Sequence, residues 1–345
     1  MKITIEERVF HFKQPAGTSR GVYTERKSWF VEVEDEGRRG VGECAPLPDL
    51  SCDALPSDIY YKVLRNFCDQ TEQMGEIPYE QMRDYPSMLF GLETAFFDVR
   101  GKKKEGRNAL FNTPFTRGEV GIPINGLVWM GSYEEMIGRM EEKLAQGFHC
   151  VKLKVGAIDF EQEMELVKRI RERFSFHEVE LRLDANGGFR PDEALYKLEL
   201  LSQYAIHSIE QPIKQKQWSF MAELCRDAPL HIALDEELIG VNDPDTKRQM
   251  LRIIKPAYIV LKPSLHGGMM GCREWIDIAR EEGIGSWITS ALESNVGLNA
   301  IAQFCSSVYG DNISFPQGLG TGQLFTDNID LGLEIRGDRL WMKTE

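Results

Sequence analysis

Six charged residues stand at regular intervals in the second half of the chain, each at the end of a short apolar run. They are Lys152, Lys154, Asp184, Glu210, Asp235 and Lys262. From Asp184 to Lys262 the successive members are 25 to 27 residues apart, a length that fits one strand, one helix and their connections. Because the carboxyl ends of the strands in a β/α barrel face one common mouth, we expect these side chains to converge there.

Three convergent carboxylates with no histidine or cysteine among them would form a hard, all-oxygen site. Such a donor set favours Mg²⁺, with Mn²⁺ as the alternative, over Zn²⁺. A partly buried lysine beside a divalent cation is pushed toward its neutral form, which is a competent general base. A single acidic residue after a strand is more often a helix N-cap, and a lone Lys-x-Lys is usually a solvated edge. The joint occurrence in register with the strand repeat favours the functional interpretation.

The elements that must position these residues alternate from about residue 120 onward. Apolar runs typical of strands lie at 122–127, 150–155, 179–183, 206–210, 231–235, 258–262, 285–290 and, weakly, 313–315. Amphipathic stretches typical of helices lie at 134–146, 160–174, 191–203, 218–226, 244–253, 268–282 and 294–308. Eight strands separated by seven helices predict an α/β fold, a modified (β/α)7β barrel related to the TIM barrel. A doubly wound open sheet is the rival, but no G-x-G-x-x-G follows the first strand.

The first third of the chain predicts a separate α+β unit. Residues 3–6 and 29–34 alternate apolar and polar side chains, and the stretch from Gln14 to Ser28 between them is typical of a mobile loop. We expect this unit to span residues 1–115 and the barrel to span residues 116–324. The segment 325–345 alternates again over its stretch from Leu331 to Met342, which predicts that it leaves the barrel and pairs with the N-terminal unit.

Charge and hydropathy exclude several classes of protein. The chain has 345 residues, with 54 acidic and 41 basic side chains and a formal net charge of −13. An acidic chain whose longest basic run is Lys102-Lys103-Lys104 lacks the positive patch of a nucleic-acid or anionic-membrane binder. No window approaches the roughly 18 consecutive apolar residues of a membrane-spanning helix. The N-terminus has no signal-type apolar core either, so we expect a cytoplasmic protein.

The residues at the strand ends resemble those of the enolase superfamily, in particular its muconate-lactonising-enzyme subgroup. The matching segments are Val151-Lys152-Leu153-Lys154, Leu183-Asp184-Ala185-Asn186, Ile209-Glu210-Gln211-Pro212, Leu234-Asp235-Glu236, Val260-Leu261-Lys262-Pro263 and, in the N-terminal unit, Gly42-Glu43-Cys44-Ala45-Pro46-Leu47-Pro48 with Gly40 before it. The resemblance implies that the N-terminal unit caps the barrel and that the enzyme removes a proton α to a carboxylate with the help of Mg²⁺. It also implies a set of metal ligands with residues that support them. The ligands would be Asp184, Glu210 and Asp235, and the supporting residues Asn186, Glu236 and Arg182.

Within this subgroup the last two strands separate the activities. Dipeptide epimerases carry Asp-x-Asp at strand eight, where this chain has Pro316-Gln317-Gly318-Leu319-Gly320-Thr321. That segment and the one from Thr289 to Leu298 resemble the o-succinylbenzoate synthase family of menaquinone biosynthesis. The resemblance implies a carbon–oxygen lyase that takes a small carboxylate substrate. The reaction would be syn elimination of water from 2-succinyl-6-hydroxy-2,4-cyclohexadiene-1-carboxylate.

The same resemblance assigns a role to each lysine. Lys154 would remove the α-proton and then protonate the departing hydroxyl, while Lys262 on the opposite face would stabilise the developing negative charge. Lys152 would tune Lys154. Ser290 would bind the carboxylate of the succinyl arm and Gly318 would make room for that arm. The predicted N-terminal loop would close the mouth and exclude water.

Two other functions stay open at this point. An N-acylamino acid racemase or a dipeptide epimerase would also place Lys154 and Lys262 on opposite faces of its substrate. A non-catalytic barrel that serves as a binding protein is the more distant alternative, and the presence of all six charged groups argues against it. The sequence also leaves open whether the protein is a homo-oligomer.

Overall fold

Two sheets position the candidate site in the computed structural model, one antiparallel near the N-terminus and one parallel in the rest of the chain. The structure describes residues 1–18, 21–101, 109–129, 131–156 and 159–343. The basic run Lys102–Lys104 lies outside these described residues. Within those ranges no helix is both long and apolar enough to span a membrane.

The N-terminal unit is a three-stranded antiparallel sheet covered by helices. Its elements are β1 (Lys2–Thr18), β2 (Gly21–Asp35), β3 (Arg38–Cys44), α1 (Ser57–Met74), α2 (Tyr79–Met82) and α3 (Pro86–Arg100). β1 and β2 form one long hairpin that runs from the pair Lys2–Glu34 to the pair Thr18–Gly21, with a register shift between His11 and Ala16. The predicted loop over residues 14–28 is therefore wrong for most of its length. The stretch Val22-Tyr23-Thr24 within it has high strand propensity, which outweighs the nearby Gly and Pro.

Helix α3 packs directly on strand β3 because two glycines face it. A Cβ on Gly40 would overlap the carbonyl oxygen of Ala95, and a Cβ on Gly42 would overlap that of Gly91. Only glycine permits so close an approach between a strand and a helix. The spacing of the two glycines in the sequence thus has a packing reason, and the contact fixes the strand end that carries Glu43.

From about residue 120 onward strands and helices follow one another in the predicted order. The strands are β4 (Ile122–Pro123), β5 (Gly126–Val128), β6 (Cys150–Lys154), β7 (Glu180–Asp184), β8 (Ser208–Glu210), β9 (Ile232–Leu234), β10 (Tyr258–Leu261) and β11 (Gly285–Ile288). The helices are α4 (Tyr133–Ala145), α5 (Phe160–Arg173), α6 (Pro191–Ser202), α7 (Trp218–Asp227), α8 (Pro244–Ile254), α9 (Gly268–Glu281) and α10 (Asn295–Tyr309), with a 3-10 turn at Glu236–Leu238. Within the described residues β5 to β11 form a parallel sheet in chain order. The predicted α/β barrel with an N-terminal α+β unit is confirmed.

The barrel closes at a different place from the one predicted. No strand forms at 313–315 in the described chain; instead Gln317 bridges Ile124 and Gly318 bridges Thr289, both in parallel. The backbone N–H of Gly318 donates to Ile288 O at 2.9 Å, which joins this short stretch to β11. The first strand also differs, because the predicted run 122–127 divides into β4 and β5.

The C-terminal segment forms a hairpin against the barrel. Its strands are β12 (Leu333–Arg336) and β13 (Arg339–Met342), and β13 pairs with β4, so that Leu340 faces Ile122. The prediction that residues 331–342 pair with the N-terminal unit is wrong, because β13 pairs with strand β4 instead. The residues just before the hairpin do contact that unit, because Phe325 bridges Phe12 of β1.

Candidate active site

Lys152 and Lys154 occupy alternate positions of β6 and project to the same side of the sheet. The Lys152 Nζ lies 2.9 and 3.0 Å from the two carboxylate oxygens of Glu210 and 3.3 Å from Asp184 Oδ2. The Lys154 Nζ lies 3.1 Å from the same Asp184 oxygen and donates to Asn186 Oδ1 at 2.7 Å. Two ammonium groups therefore share one carboxylate oxygen.

The register of three neighbouring strands explains this cluster. Lys154 pairs with Asp184 across β6 and β7, and Asp184 pairs with Glu210 across β7 and β8. Paired residues of a parallel sheet point to the same face. Regular strand pairing alone thus brings the three side chains into the barrel together, without any unusual loop.

Lys262 and Asp235 form a second cluster. Asp235 follows β9 and Lys262 follows β10, and the Lys262 Nζ lies 2.6 and 2.5 Å from the two oxygens of Asp235. β10 stands four positions from β6 in the strand order. In a barrel closed at an eighth position, these two strands lie on opposite walls. Lys154 and Lys262 consequently approach the interior from opposite sides.

Asn186 and Glu236 connect the two clusters. Asn186 accepts from Lys154 through Oδ1 and donates to Glu236 Oε1 through Nδ2 at 2.9 Å. Its backbone has a φ of 44°, a left-handed conformation that asparagine tolerates better than most residues. The amide thus lies between the base candidate and a buried carboxylate.

Arg182 lies elsewhere than predicted. Its guanidinium donates to Glu180 Oε1 at 2.7 Å and to Pro316 O at 2.9 Å, and it lies 4.5 Å from the centre of the Trp287 ring. These partners belong to a layer of side chains two residues along the strand from Asp184, deeper in the barrel. Since inward residues on a strand alternate, Arg182 shares the face of Asp184 but lies deeper in the barrel. It supports the closing stretch at Pro316 rather than the carboxylates.

Ser290 and Gly318 lie side by side in the wall beyond β11. The Ser290 hydroxyl hydrogen-bonds that of Thr321 at 2.6 Å. A Cβ on Gly318 would overlap the Thr289 side chain. Glycine at 318 is therefore required by the packing of the closing stretch against β11, which is a reason the sequence alone did not give.

A cavity of about 670 Å³ opens over these residues. Lys152, Lys154, Asp184 and Lys262 line its floor, and Ser290 and Gly318 line one wall. The N-terminal unit forms the roof, which includes Ala16 and Tyr23 of the hairpin and Leu47 and Leu50 beyond β3. The residues expected to form a closing loop do reach the mouth, but as strands.

Sequence reasoning missed most of the apolar walls of this cavity. Trp129 after β5 and Leu265 after β10 line it, as do Leu47 and Leu292. For Leu47 the signal was present, because it belongs to the segment from Gly42 to Pro48 that resembles the capping motif. For the others no local pattern distinguishes a cavity wall from ordinary core.

Burial and charge oppose each other at the lysines. Burial alone lowers the pKa of Lys152, but the carboxylates of Glu210 and Asp184 outweigh it and raise that pKa above its ordinary value. Burial likewise acts to lower the pKa of Lys262, but the carboxylate of Asp235 outweighs burial and raises that pKa above its ordinary value. The carboxylates that face these two lysines at hydrogen-bonding distance therefore favour their charged form.

The carboxylates act on one another. Burial raises the pKa of Glu210 to about 7; Lys152 opposes this rise, and Asp184 and Asp235 add to it. The three carboxylates are thus close enough to repel, and a divalent cation among them would relieve that repulsion. In their present positions they contact the lysines, and no group of three His, Cys, Asp or Glu in the described part of the chain has the spacing of a metal site. The donor chemistry fits a hard cation, whereas the side-chain positions are those of ion pairs.

The fold and the site define a capped barrel with acid and lysine groups at its mouth, and the comparisons with known proteins agree. The family model "Enolase C-terminal domain-like" matches residues 135–327, and the model "MenC, N-terminal domain" matches residues 17–99. The L-Ala-D/L-Glu epimerase of Bacillus subtilis superposes with a TM-score of 0.83 at 22% identity, over 99% of this chain and 97% of that one. At that identity the likeness shows the fold alone.

Another relative is much more similar in sequence. An o-succinylbenzoate synthase of Desulfotalea psychrophila is 44% identical over 99% of this chain and 98% of that protein. The crystal structure of MenC from the same organism superposes with a TM-score of 0.82 at 41% identity, covering 99% of both chains. The chain belongs to the enolase superfamily and, within it, to the o-succinylbenzoate synthase family. The resemblance that the motifs predicted is confirmed.

Proposed function

We propose that this enzyme removes water from 2-succinyl-6-hydroxy-2,4-cyclohexadiene-1-carboxylate to give 2-succinylbenzoate, a step of menaquinone biosynthesis. The observation that carries the proposal is the 44% identity to an o-succinylbenzoate synthase over nearly the whole of both chains. The lysine pair at the cavity floor supports it, because a dehydration that starts at an α-carbon needs a base on one face and positive charge near the carboxylate.

Lys154 is the proposed base. As a neutral amine it takes the α-proton, the C–O bond to the hydroxyl breaks, and the new ammonium returns that proton to the departing oxygen as water leaves. Lys154 and Lys152 contact the same oxygen of Asp184. Through this shared contact Lys152 is the proposed residue that tunes Lys154.

Lys262 is the proposed electrostatic partner on the opposite wall. Its ammonium group, which Asp235 holds in place, offers positive charge to the carboxylate that becomes more negative as the α-proton leaves. Ser290 is the proposed partner of the succinyl carboxylate. The roof formed by the hairpin excludes water from the reacting atoms.

We also propose that Mg²⁺, with Mn²⁺ as the alternative, binds at Asp184, Glu210 and Asp235, supported by Asn186 and Glu236. When bound, the ion supplies positive charge that makes the α-proton of the substrate more acidic. The chain provides three buried carboxylates at the ends of adjacent strands, with no nitrogen or sulfur ligand to favour a softer metal. Oligomeric state and cytoplasmic location stay predictions.

The reaction itself tests the proposal. The purified protein with Mg²⁺ is incubated with the cyclohexadiene substrate, and the aromatic product is followed by its ultraviolet absorbance. We expect turnover by the native protein and a loss of at least about 10³-fold in the Lys154→Ala variant, which lacks the base. Lys168→Ala, which changes an exposed lysine of α5, serves as the matched control. A native protein without turnover, or a Lys154→Ala variant that equals it, would overturn the proposal.

A racemase or epimerase is the second candidate, because Lys154 and Lys262 on opposite walls also suit removal of a proton from one face and its return to the other. Incubation with N-succinylamino acids and with dipeptides in D₂O discriminates between the two. Exchange of deuterium into Cα, with no turnover of the cyclohexadiene substrate, would establish this alternative.

A further inference from the structure

A buried arginine of the N-terminal unit takes no part in the chemistry proposed above. Arg26 lies on β2 and is only 2% exposed. Among the described residues its guanidinium donates to four carbonyl oxygens. Nη2 bonds Ala45 O at 2.6 Å and Ala291 O at 3.4 Å, Nε bonds Leu292 O at 3.3 Å, and Nη1 bonds Pro46 O. A buried guanidinium that donates to this many backbone carbonyls holds those backbone segments in place.

The four acceptors belong to two segments on opposite sides of a domain contact. Ala45 and Pro46 follow β3 in the N-terminal unit, and the chain continues from them to Leu47 in the cavity roof. Ala291 and Leu292 follow β11 in the barrel and themselves line the cavity. One side chain therefore joins a piece of the roof to a piece of the wall.

The barrel side of this contact is strained. Leu292 has a φ of 64°, in the left-handed region that a leucine rarely adopts. A strained residue persists where its surroundings hold it. The Arg26 bond to the Leu292 carbonyl is one such hold, and the Ala291 N–H donates to the carboxylate of Glu293 at 2.6 Å as another.

We propose that Arg26 is a positioning residue that sets the width of the substrate cavity, by fixing the roof segment after β3 against the wall segment after β11. This inference rests on the proposed function, since it concerns the binding of that substrate. Lys154 and Lys262 are held by β6 and β10 and by their own carboxylates. Loss of Arg26 therefore weakens substrate binding and leaves proton transfer at saturation largely intact.

Steady-state kinetics of Arg26→Met test this proposal, because methionine keeps the length of the side chain and removes its donors. We expect KM to rise by about tenfold or more while kcat stays within about threefold of the native value. Arg26→Lys keeps the charge but cannot reach two segments at once, so its KM should lie between the two. Arg8→Met, on the exposed part of the same hairpin, is the matched control and should leave both constants unchanged.

The strain at Leu292 provides a second measurement. Glycine adopts a positive φ without strain. Leu292→Gly therefore removes the backbone strain that the hydrogen bonds of Arg26 hold in place. We expect the effect of Arg26→Met on KM to shrink to about threefold or less when it is measured in the Leu292→Gly background. An effect of equal size in both backgrounds would overturn the proposed link between Arg26 and the wall segment.

The outcomes separate this inference from the proposed function. If the native protein shows no dehydration, the proposed function fails. If the native protein is active and Arg26→Met matches it in KM, or loses kcat alone, the positioning role fails. Should Arg26→Met give no folded protein by circular dichroism, Arg26→Lys decides, and native constants in that variant overturn the proposal. Calorimetry of 2-succinylbenzoate binding gives a readout without turnover, with Kd expected to rise in parallel with KM.

Discussion

The three lysines of the cavity floor differ in their partners, although all three stand at the ends of strands. The Lys152 ammonium contacts both Glu210 and Asp184, that of Lys154 divides its bonds between Asp184 and an amide, and that of Lys262 contacts Asp235. An amide oxygen carries no net charge, and of the three lysines Lys154 is the one whose ammonium group donates to such an oxygen. This difference in environment supports the assignment of the base to Lys154.

Removal of one carboxylate tests the proposed metal site. Glu210→Gln keeps the size of the side chain and removes its charge, so the affinity for Mg²⁺ should fall by about tenfold to 100-fold, as a lost charge among hard ligands requires. Isothermal titration with MgCl₂ measures this directly. Glu199→Gln, at the exposed face of α6, is the control. Equal Mg²⁺ affinity in native protein and Glu210→Gln would remove Glu210 from the set.

At this scale the sequence predicted which side chains meet but not how they pair. Strand alternation and the spacing of the repeats place the six charged residues at one mouth, and the structure brings them together there. The bond between Lys154 and Asn186 depends on the left-handed backbone at 186, which no local pattern signals. For Arg182 the sequence predicted the correct face of β7. It did not predict that the side chain lies deeper in the barrel than the carboxylates.

Among the elements, the contact between β3 and α3 shows how a sequence motif can have a packing origin. The glycines at 40 and 42 leave room for the backbone of the helix, and the strand they belong to carries Glu43 next to its last residue. A similar logic applies to Gly318, which lets the closing stretch approach Thr289. In each case the glycine marks a close approach between two segments, not a turn.

A single methyl group should disrupt this packing. Gly42→Ala places a Cβ against the Gly91 carbonyl, and we expect it to lower the free energy of unfolding by about 3 kcal/mol, at the upper end for overpacking of a core. Urea denaturation followed by circular dichroism measures the change. Gly138→Ala is the matched control, because that glycine lies in α4 with open space around it, and alanine there should stabilise the helix. An unchanged free energy of unfolding in the Gly42→Ala variant would show that the two backbones can separate at little cost.

The sequence predicted strands and helices well where the periodicity of apolar residues is strong. The prediction failed where contacts between distant parts of the chain decide which strands pair. Strands at 150–154, 180–184 and 258–261 match their predicted runs closely. The closing stretch was placed three to four residues too early, because the apolar run Ile313-Ser314-Phe315 suggested a strand and the polar Gln317 did not. Gln317 closes the barrel through its backbone and through its amide oxygen, which accepts from Ile288 N at 2.7 Å. The division of the chain near residue 115 stays a prediction.

For the whole molecule, two buried glutamates attach the N-terminal unit to the barrel. Glu43 accepts from the backbone N–H groups of Ser294 and Gly297 at 3.0 and 2.9 Å, at the start of α10. Glu93 of α3 accepts from those of Met269 and Met270 at 2.5 and 3.0 Å, at the start of α9. Both carboxyl groups accept hydrogen bonds from N–H donors that a helix N-terminus leaves free.

The second of these contacts makes stability depend on pH. Burial raises the pKa of Glu93 to about 8 from its ordinary 4.5, because the two backbone donors offset the desolvation only in part. A group whose pKa is raised in the folded state stabilises it at low pH and loses that contribution as pH increases. The native protein should therefore lose stability relative to Glu93→Gln between about pH 5 and pH 8.

Unfolding free energies of the two proteins, measured by urea denaturation at a series of pH values, test this dependence. Glu76→Gln, at an exposed position of the same unit, should run parallel to the native protein at every pH. A constant difference between native protein and Glu93→Gln over this range would mean that the carboxyl is solvated in the folded state.

The short stretch that closes the barrel also determines how the protein can be redesigned. Gln317 and Gly318 are joined to their neighbours by isolated bridges instead of a continuous ladder. From there to Leu324, which hydrogen-bonds Lys13 of the hairpin, the backbone forms turns beside the cavity. Loops of other lengths grafted between Gly318 and Leu324 would leave the seven paired strands intact while presenting new side chains to the acyl arm of a substrate. The protein thus carries an insertion point from which directed evolution could start toward dehydratases for other ring carboxylates.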